Sequence, residues 1–213
     1  MSFKDFFSGH AGDYARFRPH YPRELFNYLA GITSEQESVW DCATGNGQAA
    51  VALAEVFRQV IATGASEKQI AKAQPHNRIN YRVASAEQSG LPKESVDLVM
   101  VAQALHWLDR NVFFGEAKRI LKPNGVLAVW SYNLVKIAPK IDGLVEIFYR
   151  EAVGSFWDFE RRLVETGYRS IAFPFEELSP PDFHMQAEWS LHDVLGYLRT
   201  SSATKGFHRC AQI

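Results

Sequence analysis

The 213-residue chain has only two cysteines, no excess charge of either sign and no long hydrophobic run. Cys42 and Cys210 are too few for a disulfide framework and lack metal-ligand spacing, so they suit a reducing compartment and lead us to expect a cytoplasmic protein. With 23 Lys and Arg against 24 Asp and Glu, the net charge of −1 exerts no overall pull on nucleic acid or an anionic membrane. About 18 consecutive uncharged apolar residues occur nowhere, and "MSFKDFFSGHAGDYARFRPHYP" at the N-terminus has no apolar segment of signal-peptide length. Neither a membrane nor a nucleic-acid partner is expected. His10, His76, His184, His192 and His208 are scattered, and no metal site is expected. Repeats, low-complexity tracts and Gly/Ser linkers are missing too, which leaves one domain over 1–213.

What is present is alternation. "PRELFNYL" begins with a first-turn proline and spaces Leu25, Phe26 and Leu29 as a helix that stops at Gly31. "SVWDCA" reads as a buried strand, "QAAVALAEVF" as an alanine-packed helix, "QVIAT" as a strand, "EKQIAKAQ" as a short helix and "INYRVA" as a strand. "VDLVMVA" is continuous enough for a central parallel strand. Asp109 caps the next helix, which Pro123 and Gly125 close before the strand "VLAVWSY". Five alternations between Ser38 and Tyr132 predict an α/β fold: a doubly wound, mainly parallel, three-layer α/β/α sheet with right-handed crossovers. Around this core, 38–132, stand an N-terminal lid and helix (1–31) and a C-terminal part (133–213). In the latter, "APKIDGLVEIFYREAV", "FERRLVETGY" and "LHDVLGYL" read as helices and "FHMQAEWS" as an edge strand. From about residue 200 the sequence shows no period and a poorly ordered tail is expected.

In such a sheet ligands collect at the carboxyl ends of the strands. Gly45, Asn46, Gly47 and Ala50 in "VWDCATGNGQAAVAL" fit the dinucleotide pattern, yet ionised Asp41 beside the turn would repel a pyrophosphate, and no acid ends the second strand at Gly64. An acid next to bare backbone N–H groups instead suits a zwitterion with a cationic amine or sulfonium, the methionine end of S-adenosylmethionine.

"VWDCATGNGQ", "ASAEQSGLPKESVDLVMVAQALHWLD", "EAKRILKPNGVLAVWSY" and "YARFRPHYP" together resemble the class I, Rossmann-like S-adenosylmethionine-dependent methyltransferases, in the small-molecule group called methyltransferase type 11. The resemblance runs from about Phe7 to Tyr132 and more faintly through "WSLHDVLGYL". It implies a cofactor site of Asp41, Ala43, Gly45 and Gly47, then Gly64, Ala65 and Ser66, then Ser85, Ala86 and Glu87, then Ala102 and Gln103. It also implies a small-molecule acceptor met by Tyr14, Arg18 and His106, with a carboxylate oxygen as a candidate nucleophile.

Ala43 stands where the group usually has its first glycine, and three further features depart from it: Gly64 replaces the ribose-binding acid, Ser85 replaces an adenine-loop acid, and the chain is short for the closing antiparallel strand. Glu67 is a candidate substitute for the missing acid. His106 is open between a base or substrate contact and simple packing on Trp107; Arg18 between a carboxylate fork and a solvated arm. Trp130 suits a pocket wall or the core, and "FERRL" reads as a solvated helix face. Two rival functions stay open: a methyltransferase-like protein that has lost cofactor affinity, and a nicotinamide-dependent oxidoreductase using "GNGQAA".

Overall fold

A computed structural model describes residues 16–211, and the elements below belong to that span. Chain order is α1 (Arg23–Ile32), β1 (Ser38–Cys42), α2 (Gln48–Ala54), β2 (Gln59–Gly64), α3 (Glu67–Ile70), β3 (Ile79–Val83), β4 (Val96–Ala102), α4 (Arg110–Ile120), β5 (Leu121–Trp130), α5 (Pro139–Ile147), α6 (Arg161–Glu165), α7 (Leu191–Arg199) and α8 (Ser202–Ala211). The five strands form one sheet in the order β3-β2-β1-β4-β5, every pair parallel.

Sequence patterns explain the elements. Leu25, Phe26 and Leu29 are the buried face of α1, which continues through Gly31 to Ile32 instead of stopping at the glycine. The Asp109 carboxylate accepts the Val112 N–H and caps α4 as expected. Strand β4 is buried on both faces, and its one charged member, Asp97, accepts from the Ser38 N–H at 2.8 Å and from Lys122 Nζ at 2.7 Å. Strand β5 begins at once after α4, because "LKPNG" joins the ladder through an irregularity opposite Val96 and Leu98. Gly125 is required there: a Cβ would lie 2.9 Å from both the Leu121 side chain and the Lys122 carbonyl.

The sheet separates two cores. Alternation along β1 sends Trp40 and Cys42 toward α4 and the C-terminal segments, and Val39 toward α1 and α2. Trp40 Nε1 donates to Thr63 Oγ1 at 2.9 Å, which satisfies the largest fully buried side chain.

Two expectations are corrected. "FHMQAEWS" contains no strand: Phe183 packs on Tyr28 and Trp189 on Tyr197, so the alternation records half-burial of these side chains and no ladder pairing. The stretch after residue 200 is helical; α8 buries Ala203 and Thr204 and sets Phe207 edge-on to Phe156, with ring centroids 5.6 Å apart. Small residues carry that apolar stripe, and a pattern search weighted to large side chains misses it. Tyr14 lies outside the described residues.

Candidate functional site

The strands end along one edge at Cys42, Gly64, Val83, Ala102 and Trp130, and the order reverses between β1 and β4. That edge opens into a cleft of about 1410 Å³. Asp41, Ala43, Gly45, Gly64, Ala65, Ser85, Ala86, Glu87, Ala102, Gln103 and His106 all line it, so one cavity gathers residues scattered over 66 positions of sequence, from 41 to 106.

Asp41 is 1 % exposed and accepts the Thr44 hydroxyl at 2.5 Å, and the Ala50 N–H also reaches it. Burial lifts its pKa to about 7 against the lowering effect of those two bonds. The carboxylate expected to be fully ionised is therefore balanced between its two forms near neutrality. It braces the following turn and faces the cleft.

The turn itself is left-handed at Ala43 (φ 60), Gly45 (φ 61) and Gly47 (φ 83). At Ala43 a side chain occupies a conformation that costs an L-residue roughly 1–2 kcal/mol. Gly47 does not line the cleft. Its missing Cβ makes room for Tyr81, whose hydroxyl would lie within 2.3 Å of such an atom. The hydroxyl oxygen of Tyr81 is buried without a protein hydrogen-bond partner.

After β2, Ser66 is buried and caps α3 by accepting the Gln69 N–H, away from the cleft wall. Glu67 is exposed and also off the wall, whereas Gln69, which the sequence reading passed over, lines it. A Cβ on Gly64 would meet Ile70 at 3.4 Å, ordinary contact, so the position has room for a side chain. Glu87 Oε1 accepts the Asp109 N–H at 3.1 Å and ties the loop after β3 to α4. Gln103 (φ 57) donates its N–H to the Trp130 carbonyl at 2.9 Å and its amide to the Tyr132 carbonyl at 3.1 Å, pinning the end of β4 to the end of β5.

Gln103, His106 and Trp107 also line a second, smaller chamber of about 90 Å³. Its walls come from segments far apart in sequence, among them Arg18, Tyr132, Tyr149, Trp157, Arg161 and Tyr197. Arg18 donates to the Tyr132 hydroxyl at 3.1 Å and to the Thr200 carbonyl at 3.3 Å, with its guanidinium 5.0 Å from the Tyr197 ring. Arg161 belongs to "FERRL", so the expectation of a solvated face is corrected for this residue. It donates to the Tyr149 hydroxyl at 2.7 Å and to Asn133 Oδ1 at 3.0 Å, and lies 4.8 Å from the Trp157 ring. Asp158 is the carboxylate on the same wall. Trp130 lines neither cavity and packs edge-on to Tyr21 and Phe26.

His106, 7 % exposed, sits in the 3-10 turn Leu105–Trp107 where cleft and chamber meet. Its Nδ1 is 2.9 Å from the Tyr168 hydroxyl. Burial, helped by the charge of Arg161, lowers its pKa to about 4, so the ring is neutral at pH 7. Tyr168 is delivered by a helix stop: beyond α6, the Gly167 N–H bonds the Val164 carbonyl and the Tyr168 N–H the Leu163 carbonyl, with both residues left-handed at φ 60. Nothing in the sequence pairs His106 with a residue 62 positions later.

Fold and cavities define a Rossmann-like α/β domain with a large cleft at the strand ends and a smaller chamber beside it. A family profile described as a methyltransferase domain matches residues 40–129. A protein of Dictyostelium discoideum assigned as a methyltransferase is 36% identical over 209 residues, covering 96% of this chain and 80% of its own length. The methyltransferase cfoB of Aspergillus candidus is 29% identical over 188 residues, and this chain spans 59% of its length. The structure of a protein assigned as a type II methyltransferase from Anaeromyxobacter dehalogenans superposes with a TM-score of 0.85 at 40% identity, covering 92% of this chain and 84% of that one. The chain therefore belongs to the class I S-adenosylmethionine-dependent methyltransferases. The cleft fits S-adenosylmethionine, with the Asp41 carboxylate beside an open glycine turn on one side and the Ser85–Glu87 loop on the other. Among the described residues no helix is long and apolar enough to cross a membrane, and no three His, Cys, Asp or Glu side chains cluster as metal ligands.

Proposed function

We propose that the chain transfers a methyl group to a carboxylate oxygen of a small molecule held in the chamber. The carrying observation is a pair of guanidinium groups, Arg18 and Arg161, on the walls of a cavity that shares Gln103, His106 and Trp107 with the cofactor cleft. A guanidinium matches a carboxylate through paired N–H donors, and aromatic rings beneath both arginines hold the forks while offering an apolar wall to the acceptor. The chamber's size suits a small acid rather than a nucleic acid or protein chain.

In the cofactor site we assign the amino-acid end to Asp41, Ala43, Gly45 and Gln103, the ribose to Gly64, Ala65 and Gln69, and the base to Ser85, Ala86 and Glu87. Gly47 and Ser66 act behind that wall, one by admitting Tyr81 and the other as a cap. When bound, S-adenosylmethionine supplies an electrophilic methyl on a sulfonium. The chain aligns the acceptor oxygen with it, excludes water and holds the negative charge until transfer. The nicotinamide alternative fits less well, since Asp41 opposes a pyrophosphate at the turn and no acid ends β2.

Calorimetry with S-adenosylhomocysteine, then a methyl-transfer screen of carboxylic acids, phenols and amines, tests the assignment. Carboxylic acids should be the accepted class. Arg161→Met should raise acceptor KM roughly 10- to 100-fold by loss of a charge-assisted bond, leaving cofactor affinity unchanged. Turnover of phenols or amines alone would overturn the carboxylate reading, and failure of S-adenosylhomocysteine to bind would favour a protein that has lost its cofactor.

A further inference from the structure

We infer that Tyr168 is a positioning residue that locks His106 as the neutral Nε2–H tautomer, so that His106 offers a hydrogen-bond donor to the acceptor oxygen and does not act as general base. The inference rests on the proposed acceptor chamber and sharpens what it selects.

The Tyr168 oxygen has one proton to give and two lone pairs to fill. His106 Nδ1 lies 2.9 Å away. A phenol is a far stronger acid than a neutral imidazole N–H, and an imidazole nitrogen is a far stronger base than a phenol oxygen. The best pairing has the phenol proton directed to Nδ1. Nδ1 is then an acceptor, and the one ring proton resides on Nε2.

The surroundings keep it there. Tyr168 is buried in the core on the α4 side of the sheet, on a backbone set by the two-bond stop of α6, so the phenol cannot swing away without disturbing that packing. Arg161, on the same helix, opposes a second proton on the ring. Trp107 packs on the ring at a 4.6 Å centroid distance and limits its rotation. Because His106 lines both cavities, the ring nitrogen not held by Tyr168 serves the point where acceptor and methyl meet.

A donor at that point has a chemical consequence. An acceptor oxygen that arrives already anionic is oriented by Nε2–H and needs no proton removed, whereas an un-ionised alcohol would find no base in His106. The methyl passes to a carboxylate oxygen, the sulfonium becomes a neutral thioether, and no proton changes hands.

Nitrogen-15 NMR of the full chain with labelled histidine, at pH 7 with S-adenosylhomocysteine, reads the tautomer directly; His106→Gln assigns the signals. The expected spectrum shows the proton on Nε2 and an acceptor at Nδ1, and Tyr168→Phe should give a mixture. Protonation of Nδ1, or an unchanged tautomer in Tyr168→Phe, overturns the inference. Should Tyr168→Phe not fold, butyrate binding to the S-adenosylhomocysteine complex decides. His106→Gln places an amide N–H where Nε2 stands and should bind within about threefold of the parent, while His106→Asn should lose roughly 10-fold or more. Equal losses in both variants overturn the donor role. If butyrate does not bind the parent chain at all, the carboxylate assignment fails while the tautomer result still stands.

Discussion

Asp41 joins burial and charge in a single side chain. Its pKa stands at about 7 in the folded chain against an ordinary value of 3.8. A raised carboxyl favours the fold most when protonated, so that contribution is complete below about pH 4 and is lost as pH rises through 7. A ligand carrying a cationic amine reverses the preference and draws the proton off. Affinity for S-adenosylhomocysteine should therefore rise with pH below 7, by at most tenfold per unit, and level off above it. Calorimetry between pH 5.5 and 8 checks this, and Asp41→Asn should bind more weakly with a flat profile. Gly64 makes the opposite case, a contact that is lacking. Its backbone is not left-handed, and an added Cβ meets only Ile70 and Thr44 side chains at 3.4 Å or more. Gly64→Asp should fold normally and tighten S-adenosylhomocysteine roughly 10-fold or more by adding a charge-assisted bond to a ribose hydroxyl. An unchanged dissociation constant would place the ribose elsewhere.

At the level of elements, most of the sheet was legible because parallel strands buried on both faces are written as continuous apolar runs, and β1, β2 and β4 are such runs. Most of the wall of the large cleft was legible for a related reason: many of its residues follow strand ends directly, so locating a strand locates them. The smaller chamber was not. Arg161 sits on a five-residue helix whose sequence is as polar as any surface helix, and only the packing against Tyr149 and Trp157 turns it inward. Tyr168 depends on a left-handed stop, which no periodicity reports. The segment before α1 shows the same dependence on distant partners. Phe17 is buried with its ring 5.6 Å from that of His192, and the Pro19 carbonyl accepts from Gln48 Nε2 at 3.1 Å, so the segment spans α7 and α2. Gly196 on α7 makes room for it: a Cβ there would fall 2.4 Å from the Phe17 ring. Gly196→Ala gains about 1 kcal/mol of helix propensity, yet displaces the ring at a cost of roughly 1–3 kcal/mol. Stability by thermal melting should change little. Trypsin cleavage after Arg16 should accelerate, because the displaced segment loses its seat; equal cleavage rates would mean that Phe17 does not anchor it.

At the scale of the molecule, the cleft and the chamber rest on different parts of the chain. The cleft is built chiefly from residues 41–112 at the edge of a sheet with its own two cores. The chamber takes most of its wall from residues 132–161 and 197–202, where burial is thinner and the contacts are rings and arginines more than aliphatic packing. Helix α8 closes this part: Ser202 is on the chamber wall, Gly206 would bring a Cβ to 3.3 Å from the Phe156 Cβ, and Phe207 covers the Phe156 ring. Phe156 is next in sequence to Trp157, which carries the Arg161 guanidinium. Cutting the chain after Ser201 should leave S-adenosylhomocysteine affinity within about threefold, because no cleft residue is removed and the sheet cores are intact. It should also weaken butyrate binding roughly 10-fold or more, because Trp157 and Arg161 lose their backing and a water-excluded wall becomes an open one. The ratio of the two dissociation constants, measured on one preparation whose circular dichroism reports an intact sheet, is the readout. A parallel fall in both affinities would show that the α8 packing supports the glycine turn as much as the chamber, and that the two sites form one cooperative unit.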